Sequence, residues 1–418
     1  MKRHIRAEQL ADILSPGESV YVPGGIAVPL AFLADLQARP EHSRDLRLLT
    51  SIAPGIDTPF DVERLDPSAI VSGLFMQPSL RNAQRAGRYR LLPMSYGGFV
   101  RHLRECAEFD LSVLQVSPPD ANGQCSLGPS VEFLPLAVRR SRRLLALVNP
   151  SLPHIPGAVS LPYERFDHVC EIDAQLPEYR TDSDEPTRAI ADHIAGLIAD
   201  GSTLQMGLGK VPSALARALR DHRGLRLFSG MLSDGLRELA EAGALDLDFA
   251  HTGCVVAGSR ELYAWSVEFT PLRVLGCEVT HDARTLVGLE RFVAVNSALE
   301  VDLFGQCNLE HAEGRAVSGA GGAPDFARAA RLAPAGRSII ALNATYKRGS
   351  VSRIVPCLDD LSITSLSRID VDLVVTEFGV ADLRGASVQQ RAQALIGIAA
   401  PDFRPVLQEA WEKISQRL

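Results

Sequence analysis

The stretch LQMGLGKVPSALARAL, residues 204–219, decides how the chain is read. With the preceding GST it opens on a short apolar run after a glycine, the pattern of a buried strand. Gly207 and Gly209 break the run, and a helical pattern follows with Pro212 in its first turn, where a missing N–H does no harm. Strand, glycine turn and helix in this order leave unpaired backbone N–H groups at the positive end of a helix dipole, a place suited to a phosphate or a developing oxyanion. The Gly-x-x-x-x-Gly-Lys-Ser/Thr spacing of a P-loop is absent and the dinucleotide fingerprint is incomplete. Taken alone, the turn reads equally as a tight corner or as a ligand site.

The arrangement occurs a second time. GGIAVPLAFLADL (24–36) superposes on GLGKVPSALARAL (207–219) at an offset of 183 residues, with Gly24 on Gly207, Val28 on Val211, Pro29 on Pro212, Ala31 on Ala214 and Leu36 on Leu219. An apolar run, GESVYVP, precedes the first copy as GSTLQM precedes the second. Two similarly built α/β halves are therefore expected. Further strands are predicted at 110–119, 142–150, 291–303, 336–345 and 370–380, and helices at 97–106, 186–200 and 388–400. Such alternation points to mixed or parallel sheets covered by helices. The polar segment QLPEYRTDSDEP (175–186) is the best linker between the halves.

The composition agrees with this class and excludes others. At 418 residues the chain exceeds what one core usually serves, and 46% apolar residues, 22% charged residues and a net charge of −7 describe an ordinary, mildly acidic globular protein. That charge offers no footprint for nucleic acid, and the one basic run, RRSRR (139–143), reads as a solvated helix end. The first twenty residues lack the apolar core of a secretory signal, and no apolar run is long enough for a membrane span. Seven scattered cysteines without C-x-x-C spacing suggest reduced thiols in the cytoplasm, with neither a disulfide framework nor a zinc site.

A second glycine cluster, SGAGGAPDFARAA (318–330), again places flexible backbone before a helical pattern, and Gly321 and Gly322 would let a ligand approach closely. Two carboxylates stand at ends of apolar runs, Glu377 in VVTEFGVADLRG and Glu300 in NSALEVDLFGQ. Each reads as an ion-pair or hydrogen-bond partner, or as an acid–base group. The ten histidines show no metal-type spacing, and no nucleophile elbow is present.

Several segments together resemble the acetyl-CoA hydrolase/transferase family, which holds acetate, succinyl and 4-hydroxybutyrate CoA-transferases. LQVSPPDANGQCSLGPSVEF (114–133), LQMGLGKVP, VNSALEVDLFGQCN (295–308) and SGAGGAPDFARAA each resemble a family motif. VVTEFGVADLRGASVQQRAQALIGIAAPDFRP (374–405) is similar to its C-terminal signature. The resemblance spans nearly the whole chain. It implies two tandem open α/β domains, residues 1–180 and 181–418, with acyl-CoA bound mainly by the second. It also implies coenzyme A or acyl-CoA as substrate, no metal, and small-molecule partners only, namely an acyl-CoA and an acyl acceptor, with no nucleic acid or membrane partner. An oligomer is favoured, and a homodimer fits that expectation.

In this family a glutamate in a segment of the form S/T-E-M-x-S-D-G attacks the thioester to give an acyl-glutamyl anhydride and then a glutamyl-CoA thioester, splitting one hard step into easier ones. The segment here is LFSGMLSDG (227–235), and the matching position is Gly230. Without a side chain the anhydride cannot form there. Three readings stay open: transfer from CoA directly to water, a carboxylate or another acceptor; use of another carboxylate, with Glu377 first among them; and binding of CoA esters without turnover. For direct transfer, backbone N–H groups at Gly207–Val211 and around Gly321 and Gly322 would hold the oxyanion, and such donors contribute roughly 3 to 4 kcal/mol. The resemblance implies that Gly207, Gly209, Lys210 and Val211, with Gly319, Gly321 and Gly322, surround the thioester and pantetheine arm. It places Asn296 near the reacting centre, where its amide would orient a carboxylate or the pantetheine. Lys210 would pair with a CoA phosphate or a substrate carboxylate, or point to solvent. Loss of the carboxylate at Gly230 also suggests an enlarged acyl pocket. Apart from the resemblance, a sugar-phosphate isomerase or a nucleotide-binding module fits a two-domain α/β chain with glycine turns.

Overall fold

The computed structural model describes residues 3–53, 55 and 60–418. The chain divides into two compact units, Met1–Tyr179 with His251–Thr280, and Arg180–Ala250 with His281–Leu418.

The first unit is built on eight strands: β1 (Arg3–His4), β2 (Ser19–Val22), β3 (Arg47–Thr50), β4 (Ile70–Gly73), β5 (Tyr89–Leu91), β6 (Phe109–Val116), β7 (Ser141–Val148) and β8 (His168–Glu171). Their order is β1-β8-β7-β6-β2-β3-β4-β5, and every neighbouring pair is parallel. The strand FDLSVLQV is buried along almost its whole length, as expected where a parallel sheet is covered on both faces. From β2 the chain steps outward to β5, returns to the other side of β2 as β6, and steps outward again. The arginines of the basic run serve structure: Arg143 pairs with Glu18 at 2.6 Å, and the Arg140 guanidinium donates to the Ala107 carbonyl at 2.7 Å.

Residues 251–280 complete this first unit, which the expected division into 1–180 and 181–418 does not foresee. His251–Gly253 pairs with Leu272–Val274, and hydrogen bonds run from the Val131 N–H to the Cys254 carbonyl and from the Cys277 N–H to the Glu132 carbonyl. Val131 and Glu132 are remote from the segment in sequence, and no change of composition marks its two ends.

The second unit has strands β9 (Thr203–Met206), β10 (Arg226–Leu227), β11 (Phe292–Ser297), β12 (Arg337–Ala341), β13 (Leu373–Thr376) and β14 (Gly379–Asp382). Their order is β10-β9-β11-β12-β13-β14, parallel throughout except for the last pair. The run expected to be one strand over 291–303 is two, because Glu300–Asp302 leaves the sheet to pair with Cys307–Asn308 and Ile354–Val355. The run over 370–380 likewise folds back on itself, with Glu377 and Phe378 between β13 and β14. Both runs carry polar residues away from the break as well as at it, so periodicity does not locate it.

Helix Glu185–Ala195 buries Ile190, Ala191 and Ile194 and packs on helix Lys210–Ala218, which buries Val211, Ala214 and Leu215. The C-terminal helices Val388–Gly397 and Arg404–Ser415 close a core of Val301, Ile340, Val374, Leu395 and Trp411, and the Trp411 indole N–H donates to Gln389 at 2.6 Å. A smaller core of Phe228, Phe292, Phe326 and Ala330 underlies the glycine loops. The internal echo has a structural counterpart. β2 and β9 are the strands from which their sheets grow in both directions, and each feeds a glycine turn and a helix, Leu30–Ala38 or Lys210–Ala218. In open α/β sheets ligands bind beyond the carboxyl ends of strands at such switch points.

Both sheets are thus open α/β layers, as expected. All seven cysteines are free. Among the described residues no helix is long and apolar enough to cross a membrane.

Candidate active site in the second unit

At the carboxyl end of β9 the chain makes the turn Gly207–Gly209. Gly209 has φ +130°, a conformation that residues with a Cβ rarely adopt, and it starts helix Lys210–Ala218 without any side-chain cap. The first-turn N–H groups are therefore available to a ligand. Around Gly207 the space is open, since an added Cβ would meet nothing within 4 Å. Thr181 steadies the turn, donating from Oγ1 to the Gly209 carbonyl at 3.4 Å and lying 3.0 Å from the Ser213 hydroxyl. Lys210 is tethered: its ammonium is 3.0 Å from Asp184, the capping residue of the preceding helix. The hydrogen bond from Thr187, followed by that from Lys210, holds the Asp184 carboxyl down at about 2. Val211 turns its side chain into the core, so only its backbone faces the turn.

Across the switch point, Gln205 of β9 and Asn296 of β11 exchange amide hydrogen bonds at 3.2 and 3.4 Å. Gln205 is buried and Asn296 half-buried, so the pair fixes the orientation of the Asn296 amide at the strand end. Gln205 stands inside the opening stretch, yet only its partner across the sheet reveals its role.

The segment carrying Gly230 is tied to the same strand end. The Phe228 N–H donates to the Leu204 carbonyl at 3.0 Å, and the Ser229 hydroxyl to the Met206 carbonyl at 2.7 Å. Between Met206, Gly207, Ser229 and Met231 lies a cavity of only about 10 Å³, room for roughly one water. The imidazole of His281 lies against Gly230. A Cβ on Gly230 would come within 3.3 Å of ring atoms Cε1 and Nε2, and a Cβ on Gly322 within 2.7 Å of Cδ2. The Phe326 ring packs at a tilt beside it, centroid to centroid at 4.6 Å, and approaches the same two glycines. Burial depresses the imidazole to about 3, so His281 is neutral at physiological pH. No motif points to His281. The signal that finds it is tertiary: two glycines on separate loops, both in contact with one ring.

This geometry corrects two expectations. In place of an enlarged acyl pocket, His281 and Phe326 stand within 3.3–3.4 Å of where a Cβ on Gly230 would lie, and the close approach that Gly322 permits is taken by the His281 ring. Gly319 and Gly321 are half-buried before helix Ala323–Leu332, Gly321 at φ +57°, and Gly322 starts that helix without a side-chain cap. Glu377, also half-buried, accepts the Ala344 N–H at 2.8 Å, which fastens the loop after β12. Glu300 accepts from Asn308 at 2.8 Å and Ser362 at 2.9 Å, a bracing role.

Models of the two family domains match this chain, the acetyl-CoA hydrolase/transferase N-terminal domain over residues 1–177 and the C-terminal domain over residues 258–411. A 4-hydroxybutyrate coenzyme A transferase of Clostridium kluyveri is 33% identical over 350 residues, 82% of each chain. The chain belongs to the acetyl-CoA hydrolase/transferase family. A succinyl-CoA:cyclohexane-1-carboxylate CoA transferase of Geobacter metallireducens is 31% identical over 98% of this chain and 94% of its own. RipA from Yersinia pestis has a similar structure, with a TM-score of 0.90 and 28% identity, covering 99% of this chain and 98% of RipA. A 4-hydroxybutyrate CoA-transferase of Porphyromonas gingivalis superposes with a TM-score of 0.81 at 28% identity, over 100% of this chain and 98% of that one. The family places this chain in the CoA-transferase or acyl-CoA hydrolase class of enzymes.

The acetyl-CoA hydrolase/transferase N-terminal domain also contains a polar network that sequence reading missed. Glu132 is buried, with φ +40°, and accepts the Ser51 hydroxyl at 2.9 Å. Ser51 in turn accepts the Gly24 N–H at 2.9 Å and lies 3.3 Å from the Tyr21 hydroxyl. Burial raises the Glu132 carboxyl to about 7, against a smaller lowering by Ser51. A perturbed carboxyl group beside the glycine turn of a switch strand is the pattern of a functional position. Its backbone strain points the same way.

Proposed function

We propose that this chain moves the acyl group of a CoA thioester to a carboxylate or to water without forming a glutamyl anhydride. The observation that carries the reading is the uncapped, open glycine turn Gly207–Val211 at the β9 switch point, beside the oriented Asn296 amide, in a chain of the CoA-transferase family. The thioester carbonyl takes hydrogen bonds from N–H groups of that turn, and from those at Gly319–Gly322. The oxyanion that forms on attack is stabilised there at the positive end of a helix. With a carboxylate acceptor, its oxygen bonds to the acyl carbon and CoA leaves as thiolate. The thiolate then attacks the acceptor's carbonyl in the resulting mixed anhydride and expels the original acid. With water, the oxygen bonds to the acyl carbon, its proton passes to a base, and the acid and CoA are released. Glu377 is the carboxylate proposed as that base. Lys210, held by Asp184, contributes positive charge at the mouth of the turn instead of a free ammonium.

Gly230 also favours a second reading, a CoA-ester-binding protein without turnover. One experiment separates the two. The protein is incubated with acetyl-CoA, succinyl-CoA or butyryl-CoA and labelled acetate, and both labelled acyl-CoA and free CoA are followed. Label in acyl-CoA identifies transfer, and free CoA without label identifies hydrolysis. If neither appears while CoA esters raise the thermal midpoint, the second reading holds; if neither appears and no shift occurs, both are wrong.

A further inference from the structure

The His281 imidazole lies where a Cβ on Gly230 or on Gly322 would come, and the Phe326 ring, 4.6 Å from it centroid to centroid, meets the same two positions. Neither glycine is demanded by its backbone: Gly322 has φ −89°, and Gly230 lies outside the positive-φ region. At both, a Cβ would crowd the same ring, by a clash at Gly322 and by a few tenths of an ångström at Gly230. A Cβ at position 230 would sit 3.3 Å from the His281 ring and 3.4 Å from Phe326, so a longer side chain there is crowded between the two rings, and Phe326 is itself fixed in the core under the loops.

We propose that His281 is the residue that determines the reaction route, closing the space a nucleophilic carboxylate at position 230 would need and so committing the site to direct transfer. The inference rests on the reading that position 230 is the family's nucleophile position. It makes Gly230 and His281 one device. Restoring a carboxylate at Gly230 alone gives no covalent chemistry, and shortening His281 at the same time opens it. In that double variant the carboxylate oxygen bonds to the acyl carbon of acetyl-CoA and CoA leaves as thiolate. The thiolate then attacks the glutamyl carbonyl, releasing acetate and leaving CoA on the protein as a thioester.

The test compares Gly230→Glu with Gly230→Glu/His281→Ala, each mixed with acetyl-CoA and read by intact-protein mass. The expected result is a CoA adduct on the double variant and at least tenfold less on the single one. Equal adduct on both overturns the inference, as does its absence from a double variant whose thermal midpoint still rises with CoA. A thermal cycle of Gly230→Ala and His281→Ala supplies a measure that does not depend on the glutamate variants folding. Gly230→Ala should lower the midpoint by roughly 2 °C or more when His281 is present and leave it unchanged when His281 is alanine. Additive shifts overturn the inference. A wild-type protein that CoA esters neither shift nor react with counts against the proposed function, whereas the thermal cycle decides the His281–Gly230 packing by itself.

Discussion

Two side chains carry the clearest consequences at the residue scale. Burial raises the Glu132 carboxyl to about 7 from an ordinary 4.5, so the folded protein keeps a proton that the unfolded chain has released. Stability from this group is therefore present at low pH and is lost as pH rises from 4.5 through 7, with a slope of up to about 1.4 kcal/mol per unit. Glu132→Gln should flatten urea midpoints measured between pH 5 and pH 8; an unchanged slope would remove Glu132 as its source. His281 has the opposite sign, because its imidazole is depressed to about 3 from 6.5, and stability is lost as pH falls from 6.5 toward 3. Glu377 holds the Ala344 N–H, and a glutamine can accept that bond equally well. Glu377→Gln should therefore keep the thermal midpoint and lower kcat roughly 100-fold or more if the carboxylate acts as base. A loss below tenfold would leave Glu377 as a positioning residue only.

Among the elements, the glycine turn divides its work between two residues. Gly209 supplies a backbone conformation close to glycine-only, whereas Gly207 supplies open space beside the strand end. Gly209→Ala should cost about 1–3 kcal/mol of stability and weaken CoA binding as well. Gly207→Ala should leave the thermal midpoint in place and weaken CoA binding alone. Calorimetric titration with CoA, paired with thermal melts, distinguishes the two; equal midpoints for both variants would contradict this division. The turn was legible because strand, glycine and helix follow one another in sequence. The breaks at Ser297 and Glu377 were not, since polar residues recur along both runs and none of them marks where the chain leaves the sheet or turns back. The 251–280 segment was hidden because its hydrogen bonds reach partners more than a hundred residues away, such as Val131 and Glu132.

For the whole molecule, the echo between residues 24–36 and 207–219 anticipated two α/β units, each with a glycine turn at its switch strand. Motif resemblance reached the family and the Gly230 departure. What fills the vacated position was beyond any local pattern, because His281 lies some fifty residues from Gly230 and some forty from Gly322 along the chain. The same limit hid the Gln205–Asn296 pair and the Tyr21–Ser51–Glu132 network. The central claim is that acyl-CoA is turned over here without a covalent glutamyl intermediate. Intact-protein mass, sampled by rapid quench while acetyl-CoA, succinyl-CoA or butyryl-CoA is consumed in the presence of acetate, tests it most directly. Consumption of at least one thioester with an unchanged protein mass is the predicted result. A CoA adduct on a carboxylate during turnover, or no consumption of any of the three, would contradict it.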